Sequence, residues 1–207
     1  MAFLAETWDA SDKFSYSKGN NILDICITGV GIAASTYTLT KAFQKNYDLA
    51  IQAGIAGSFD KAIKLGTLVF INSEQFGDLG AEDHYKFIDI FELGLLETSN
   101  IPYTEKELIT PVQDIHRKID LQKVKGITVN TVAGSAFTIR SRMEAYAAQV
   151  ESMEGAAFHY VCLKEKIPFA QIRCISNYIE PRDKSKWQIK EAVINLNKWL
   201  IDFIESL

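Results

Sequence analysis

Polar residues at the edges of apolar runs are the groups in this sequence whose type and spacing could support chemistry. Met153 and Glu154 precede the small residues 155–157, which are typical of a helix start. A carboxylate at a helix N-terminus gains about 0.3–1 kcal/mol from the helix dipole when it is exposed. Glu154 could therefore bind a ligand or only cap its helix.

A second polar group lies inside an apolar run. Arg173 belongs to residues 169–175, which the apolar pattern predicts to be a buried strand. A buried guanidinium requires an acidic partner or an anionic ligand, because an unpaired buried charge is costly. Ser176 and Asn177 follow directly and are expected at the end of this strand.

The surrounding elements are predicted from hydrophobic periodicity. Apolar runs alternate with helical patterns, and this order indicates an α/β layer fold around a central sheet. The run at 22–28 is almost continuously apolar, which predicts a strand buried on both faces. Residues 1–11 are compatible with a helix, and residues 93–125 are rich in loops. The other predicted strands are 13–18, 49–53, 67–72, 127–132 and 169–175, and the predicted helices are 33–43, 140–149, 154–165 and 186–204.

The predicted strand ends suggest where a ligand would bind. In an open α/β sheet, ligands bind beyond the carboxyl ends of the strands. The groups expected to converge there are residues 29–31, 54–57, 73–76, 134–137 and 176–177.

Composition limits the class of protein. The chain has 207 residues, of which 47% are apolar, and a net charge of −4, so we expect one domain over residues 1–207 and no nucleic-acid partner. No apolar run reaches the ~20 residues of a membrane helix, and no secretory signal is visible, which favours a cytoplasmic location. The spacing of the three histidines predicts no metal site. The three cysteines, each in an apolar run, are expected to be buried free thiols.

Several of these stretches together resemble the purine nucleoside phosphorylase and nucleosidase superfamily. They are residues 29–31, 53–57, 151–157 and 173–177, while residues 76–82, 128–134 and 175–183, followed by Trp187, narrow the resemblance to the futalosine hydrolase family. The resemblance implies a three-layer fold with a mixed central sheet flanked by helices. It also implies hydrolysis of futalosine to hypoxanthine and dehypoxanthine futalosine, on the futalosine route to menaquinone, by a homo-oligomer (dimer or higher) without a cofactor.

The resemblance also implies residue roles. Glu154 would accept hydrogen bonds from the ribose 2′ and 3′ hydroxyls, and Met153 would pack beneath the sugar. Phe137 would stack on the base, and backbone groups of Thr138 would contact its edge. The polar shell would be completed by Ser73, Arg173 and Ser176.

Asn177 indicates the substrate class. Relatives that act on adenine nucleosides have an aspartate at the matching position, which protonates N7 of the leaving base. An asparagine cannot serve as that acid, but its amide has both donor and acceptor groups, which suit a 6-oxopurine such as hypoxanthine. The alternative interpretation is a structural asparagine in a turn.

The reaction type has two alternatives. Phosphorolysis requires a phosphate site, usually built from arginines near glycine-rich loops. The arginines are at positions 117, 140, 142, 173 and 182, and none is near residues 29–31 or 54–57 in sequence. Water is therefore the expected nucleophile, with a phosphorylase of 6-oxopurine nucleosides as the alternative.

The N-terminus departs from the family pattern. Relatives begin with an apolar strand followed by a glutamate that activates water, whereas residues 1–6 resemble the helix after that strand. Only Glu6 and Asp9 are nearby candidates for this acid, and both also fit a solvated helix face. A purine-binding protein without turnover is therefore a further alternative. For the carboxylate of the substrate, Arg140, Lys86 and His84 are candidates.

Overall fold

A computed structural model describes residues 8–12, 14–84 and 86–207 of the chain. Within these ranges, no helix is long and apolar enough to cross a membrane. Most of the predicted helix at 1–11 lies outside the described residues. Its described end is wrong, because Asp9–Asp12 is a strand that pairs antiparallel with Ser15–Lys18.

Strands and helices alternate along much of the chain, as the sequence pattern predicts. The strands are β1 (Asp9–Asp12), β2 (Ser15–Lys18), β3 (Asn21–Asp24), β4 (Ala50–Ser58), β5 (Leu68–Phe76), β6 (Gly80–Asp83), β7 (Lys86–Asp89), β8 (Leu108–Ile109), β9 (Gln122–Thr128), β10 (Val150–Ser152) and β11 (Phe169–Tyr178). The α-helices are α1 (Ile32–Ala42), α2 (Ala136–Tyr146), α3 (Gly155–Glu165) and α4 (Ile189–Glu205). Short 3-10 helices lie at Asp114–Lys118 and Lys184–Lys186.

The central sheet is mixed and closes on itself. β11 pairs parallel with β4 and antiparallel with β5. β5 continues parallel to β9, β9 pairs parallel with β10, and β10 returns antiparallel to the end of β4. β8 extends the sheet from β5. β6 and β7 form a separate hairpin, and β1, β2 and β3 form another small antiparallel sheet.

The side chains of β11 alternate between two environments. Ala170, Ile172 and Cys174 belong to the apolar cluster that packs against α4. The intervening residues Gln171 and Arg173 make polar contacts with other strands. Because successive side chains of a strand point to opposite faces, one strand supplies both a core surface and a polar surface.

Helices cover the central sheet on two sides. On one side, α4 packs through Ala192, Leu196 and Phe203. On another, Leu39 of α1 and Phe158 of α3 belong to a second cluster. The predicted mixed sheet flanked by helices is therefore confirmed.

The predicted buried strand at 22–28 is wrong. Only Asn21–Asp24 is a strand, and among the described residues it pairs with β2 alone. Ile22 and Ile27 are 78% and 72% exposed, because no described element covers them. Cys26 in the same segment is an exposed free thiol, so the expectation of burial holds for Cys162 and Cys174 and fails for Cys26.

Several predicted boundaries also shift. The strand predicted at 127–132 lies at Gln122–Thr128. The prediction missed its first half because the exposed Lys123 and Lys125 interrupt the apolar pattern there. The helix predicted at 140–149 begins at Ala136 and ends at Tyr146, where Ala147 adopts the left-handed conformation. β4, β5 and β11 all extend past their predicted ends.

Candidate active site

Glu154 occupies the N-cap position of α3, and its side chain makes no capping hydrogen bond. Instead, its Oε1 accepts a hydrogen bond of 3.1 Å from the backbone N–H of Gly31. Its Oε2 lies 3.6 Å from Nη1 of Arg173. The Glu154 side chain is 18% exposed, so the carboxylate is held from two sides and still reaches solvent.

Arg173 of β11 is almost fully buried, and the acidic partner expected for it is Glu154. Its Nη2 also donates a hydrogen bond of 2.9 Å to Oε1 of Gln52 on β4. Burial lowers the pKa of Arg173, whereas Glu154 and Glu74 raise it. The Arg173 Nε–H is buried without a partner in the structure, so one donor of this group is unused.

The guanidinium of Arg173 crosses β4 where β4 has a glycine. A Cβ atom at Gly54 would lie 2.2 Å from Nη1 of Arg173, a distance that no side chain tolerates. Gly54 pairs in register with Arg173. The glycine-rich stretch after the predicted strand therefore gives Arg173 the space to reach Glu154. The expectation that no arginine is near residues 54–57 is wrong in space, because the fold brings Arg173 against Gly54.

Ser176 and Asn177 lie near the carboxyl end of β11. The pairing of β11 with β4 shifts by one residue between Ile175 and Asn177, and such a bulge can redirect a side chain. The Ser176 hydroxyl lies 3.2 Å from the carbonyl oxygen of Ala56 and 2.9 Å from Oδ1 of Asn177. It donates to one of these acceptors at a time.

The orientation of the Asn177 amide follows from its neighbours. Its Nδ2 donates a hydrogen bond of 3.1 Å to the carbonyl oxygen of Tyr178. A carbonyl only accepts, so the NH₂ group must face Tyr178, while Oδ1 faces the Ser176 hydroxyl. The amide therefore keeps a second N–H donor for another partner.

Arg173 and Asn177 place the two candidate groups along one strand. They are four residues apart on β11, and at about 3.3 Å per residue their Cα atoms are about 13 Å apart. Glu154 is paired with Arg173 at one end of this span, and the Asn177 amide lies at the other. Met153 is half-buried beside Glu154.

Ser73 lies elsewhere. It is buried on β5, and its Oγ donates a hydrogen bond of 2.5 Å to Oε2 of Glu107. Glu107 also pairs with Lys125 at 2.6 Å. The structure therefore joins Ser73 to Glu107 and Lys125, and not to the Glu154–Arg173 pair.

Phe137 and Thr138 lie in the first turn of α2. The side chain of Ser135 caps this helix and accepts a hydrogen bond from the Thr138 backbone N–H, which is therefore already occupied. Phe137 is 60% exposed. Both residues line a cavity of about 220 Å³ together with Asp78, Phe87 and Tyr146.

A buried ion pair that the sequence reasoning missed anchors the loop before α2. Arg142 donates a hydrogen bond of 2.5 Å to Glu151, and Glu151 accepts another from the backbone N–H of Ala133. Arg142 also donates to the carbonyl oxygen of Thr131. Burial raises the pKa of Glu151, against the effects of Ala133 and Arg142.

Glu74 is the other functional candidate that the sequence reasoning missed. It is 1% exposed on β5, next to the buried Ser73 and three residues after the buried apolar run 69–71. A carboxylate that follows such an apolar run was the available signal. Glu74 hydrogen-bonds with Thr128 and Gln171.

The remaining candidates lie on the surface or outside the described residues. Asp9 is exposed in β1, next to Trp8, which packs with Ile204 of α4. Glu6 lies outside the described residues. His84, Lys86 and Arg140 are exposed, and His84 is 2.7 Å from Asp83. Among the described residues, no group of three histidine, cysteine or acidic side chains could hold a metal ion.

Comparison with known proteins defines the class. The sequence profile of the phosphorylase superfamily matches residues 14–205, and the chain belongs to that superfamily. This region contains Glu154, Arg173 and Asn177.

Within that superfamily, the chain belongs to the futalosine hydrolase family, whose members are hydrolases of N-glycosyl compounds. It is 30% identical to the futalosine hydrolase of Streptomyces coelicolor over 179 residues, which cover 84% of this chain and 74% of that protein. It is 32% identical to the enzyme of Acidothermus cellulolyticus over 181 residues, which cover 84% of this chain and 71% of that protein.

A solved structure shows the same fold. The native futalosine hydrolase of Helicobacter pylori superposes with a TM-score of 0.74 at 18% identity. The match covers 93% of this chain and 83% of that one.

Proposed function

We propose that this chain hydrolyses the N-glycosidic bond of futalosine and releases hypoxanthine and dehypoxanthine futalosine, on the futalosine route to menaquinone. Its family membership supports the hydrolytic reaction. The observation that carries the substrate assignment is the Asn177 amide, whose orientation is determined by Ser176 and by the Tyr178 carbonyl.

On the base side, the free N–H of Asn177 donates to N7 or O6 of hypoxanthine. Both of these purine atoms accept hydrogen bonds, so the neutral amide stabilises the negative charge that builds on the departing base. Adenine has the same N7 acceptor but carries an NH₂ donor at position 6, so an N–H directed toward position 6 discriminates against it. Phe137 stacks on the base from the first turn of α2.

On the sugar side, Glu154 accepts hydrogen bonds from the ribose hydroxyls. Its contacts with Gly31 and Arg173 use only part of its accepting capacity, since a carboxylate has about four lone-pair sites. The negative charge beside the ribose also stabilises the oxocarbenium-like sugar that forms as the bond breaks. Met153, next in sequence, packs under the ring.

The arginine pairing favours water over phosphate as the nucleophile. Arg142 and Arg173 are buried, and each is paired with a glutamate. Arg117, Arg140 and Arg182 lie on exposed positions. Each buried guanidinium is already balanced by a glutamate, whose negative charge would repel a phosphate ion.

The partner of the chain is then a small nucleoside. We propose that it acts as a homo-oligomer, a dimer or larger, in the cytoplasm. Free thiols at positions 26, 162 and 174 agree with a reducing compartment.

The experiment that tests the function is a release assay with purified protein. Futalosine and inosine are incubated with and without phosphate, and free hypoxanthine is measured. The proposal predicts release from futalosine that does not depend on phosphate. Release that requires phosphate would make the protein a phosphorylase, and binding of hypoxanthine without any turnover would make it a binding protein.

A further inference from the structure

A buried polar chain lies behind the Glu154–Arg173 pair. Glu74 accepts hydrogen bonds of 2.9 Å from Thr128 Oγ1 and from Gln171 Nε2. Its carboxylate also contacts the start of α3, because a Cβ atom on Gly155 would lie 2.0 Å from Oε1 of Glu74. The buried carboxylate is therefore adjacent to the residue that follows Glu154.

The other end of this chain is His159 of α3, which is fully buried. Its Nδ1 lies 2.9 Å from the carbonyl oxygen of Leu108, so Nδ1 must carry a proton to donate to it. Nε2 of His159 and Oε1 of Gln171 are both buried without a hydrogen-bond partner. Burial lowers the pKa of His159 to about 4, against the effects of Leu108 and Gln171, so the ring is neutral at physiological pH.

The number of unpaired buried acceptors differs between the two protonation states of Glu74. If Glu74 is ionised, the Gln171 NH₂ donates to it, and Gln171 Oε1 and the lone pair of His159 Nε2 remain as two unpaired acceptors. If Glu74 is protonated, the amide can turn so that Oε1 accepts from the Glu74 O–H and Nε2 donates to His159. The two ends of an amide are almost equal in size, so this turn needs no extra space.

We propose that Glu74 is a protonated carboxylic acid in the working enzyme and a positioning residue for Arg173 and Glu154. While it is neutral, the charge of Arg173 is balanced by Glu154 alone. When it releases its proton to solvent, its carboxylate competes with Glu154 for Arg173 and repels Glu154. The consequence for catalysis rests on the proposed role of Glu154 in binding the sugar.

The groups that face Glu74 agree with this assignment. Burial raises the pKa of Glu74 to about 7, whereas Gln171, Arg173 and Thr128 lower it and Glu154 raises it further. Arg173 faces it from β11, Glu154 from the start of α3, and His159 through Gln171. β9 contributes the neutral Thr128.

The first test is the pH dependence of hypoxanthine release by wild type and by Glu74→Gln, which mimics the protonated acid in shape and charge. For wild type we expect kcat/KM with futalosine to fall by about fivefold or more between pH 6 and pH 8.5. For Glu74→Gln we expect a change of less than about twofold over the same range. Glu144→Gln, the same change at an exposed position of α2, should keep the wild-type profile.

A Glu74→Gln profile that falls as steeply as that of wild type would overturn the proposal. A second measurement needs no change at residue 74, in case that variant does not fold. The ¹⁵N NMR signals of His159, assigned by replacing His84 and His116 in turn, should report at pH 6 a neutral ring with its proton on Nδ1 and with Nε2 accepting a hydrogen bond. A neutral ring whose Nε2 accepts no hydrogen bond, or a doubly protonated ring, would mean that Glu74 is ionised at pH 6 and would refute the proposal.

The two proposals fail in different ways. If wild type releases no hypoxanthine, the proposed function is wrong, and the histidine signals still decide the state of the Glu74 chain. If wild type is active but Glu74→Gln keeps the alkaline fall, the function stands and the positioning role is wrong.

Discussion

At the scale of single residues, two glutamates share the electrostatic environment of Arg173. Glu154 reaches solvent and pairs with the guanidinium at 3.6 Å, whereas Glu74 is buried behind it. Burial acts on the charged forms of both Glu74 and Arg173, raising the pKa of the first and lowering that of the second. The exposed carboxylate is therefore the one available to a ligand, and the buried one is suited to support it.

Replacing Glu154 should damage catalysis more than folding. We expect Glu154→Gln to lower kcat by about 10²–10³-fold, because the charge beside the developing oxocarbenium is lost. The amide can still accept from Gly31, but Arg173 loses the carboxylate that balances its buried charge, so the free energy of unfolding should fall by about 3 kcal/mol. Steady-state kinetics measure kcat, and urea denaturation measures the free energy of unfolding. Near-normal turnover would remove Glu154 from the sugar site.

Replacing Asn177 should change base preference. We expect Asn177→Asp to shift the ratio of kcat/KM values toward 6-aminopurine nucleosides by about tenfold or more, because the acid can protonate N7 and accept from the 6-amino group. Competition between inosine and adenosine measures this ratio directly. An unchanged ratio would indicate that Asn177 has a structural role.

At the scale of elements, β4 and β11 position the site between them. β11 presents Ala170, Ile172 and Cys174 to the cluster under α4, which holds the strand in place, and Gln171 and Arg173 make polar contacts on other strands. β4 contributes Gln52 as a partner of Arg173 and Gly54 as the space that the guanidinium needs. The strand bulge before Asn177 completes the arrangement.

Filling the space at Gly54 should affect both stability and activity. Gly54→Ala places a Cβ atom 2.2 Å from Nη1 of Arg173, so the guanidinium must leave the position in which it pairs with Glu154. We expect a loss of about 1–3 kcal/mol of unfolding free energy, as for other overpacked positions, together with a fall in kcat/KM. Thermal denaturation and kinetics measure the two effects.

Gly134→Ala is the matched control, because nothing lies within 4 Å of the added Cβ atom. Its melting temperature should stay close to that of wild type. Equal destabilisation by both substitutions would mean that contact with Arg173 is not the cause.

The sequence was sufficient to predict the strand at 169–175 and the buried charge of Arg173 within it, because an arginine inside an apolar run is a strong local signal. It was not sufficient to predict the contact of Ser73, since the residue type does not reveal that a half-buried glutamate just before β8, Glu107, accepts its hydrogen bond. The prediction of a buried strand at 22–28 was wrong for a similar reason. Its apolar pattern predicts burial, but burial depends on which elements cover the strand, and no described element does.

At the scale of the whole molecule, stability should depend on two buried groups with opposite pH effects. The pKa of Glu74 is raised from 4.5 to about 7, so its contribution to stability falls as the pH rises through this window. The pKa of His159 is lowered from 6.5 to about 4, so its contribution is complete above 6.5 and is lost as the pH falls toward 4. The two effects oppose each other over much of the same range.

Replacing Glu74 should leave only the effect of His159 on the pH dependence of stability. We expect the unfolding free energy of Glu74→Gln, measured relative to wild type at each pH, to increase between pH 4.5 and pH 7, because only wild type must ionise a buried carboxyl. Chemical denaturation at a series of pH values measures this difference. A difference that does not vary with pH would show that Glu74 has the same pKa in the folded and unfolded chain.

The proposed activity requires one nucleoside to lie along β11, with its base at Asn177 and its sugar at Glu154. The most direct test is a crystal structure of the protein with hypoxanthine bound. We expect O6 or N7 of the base within hydrogen-bond distance of the Asn177 amide, Phe137 against the ring, and N9 directed toward Met153 and Glu154. Hypoxanthine bound elsewhere, or with N9 directed away from Glu154, would contradict the account.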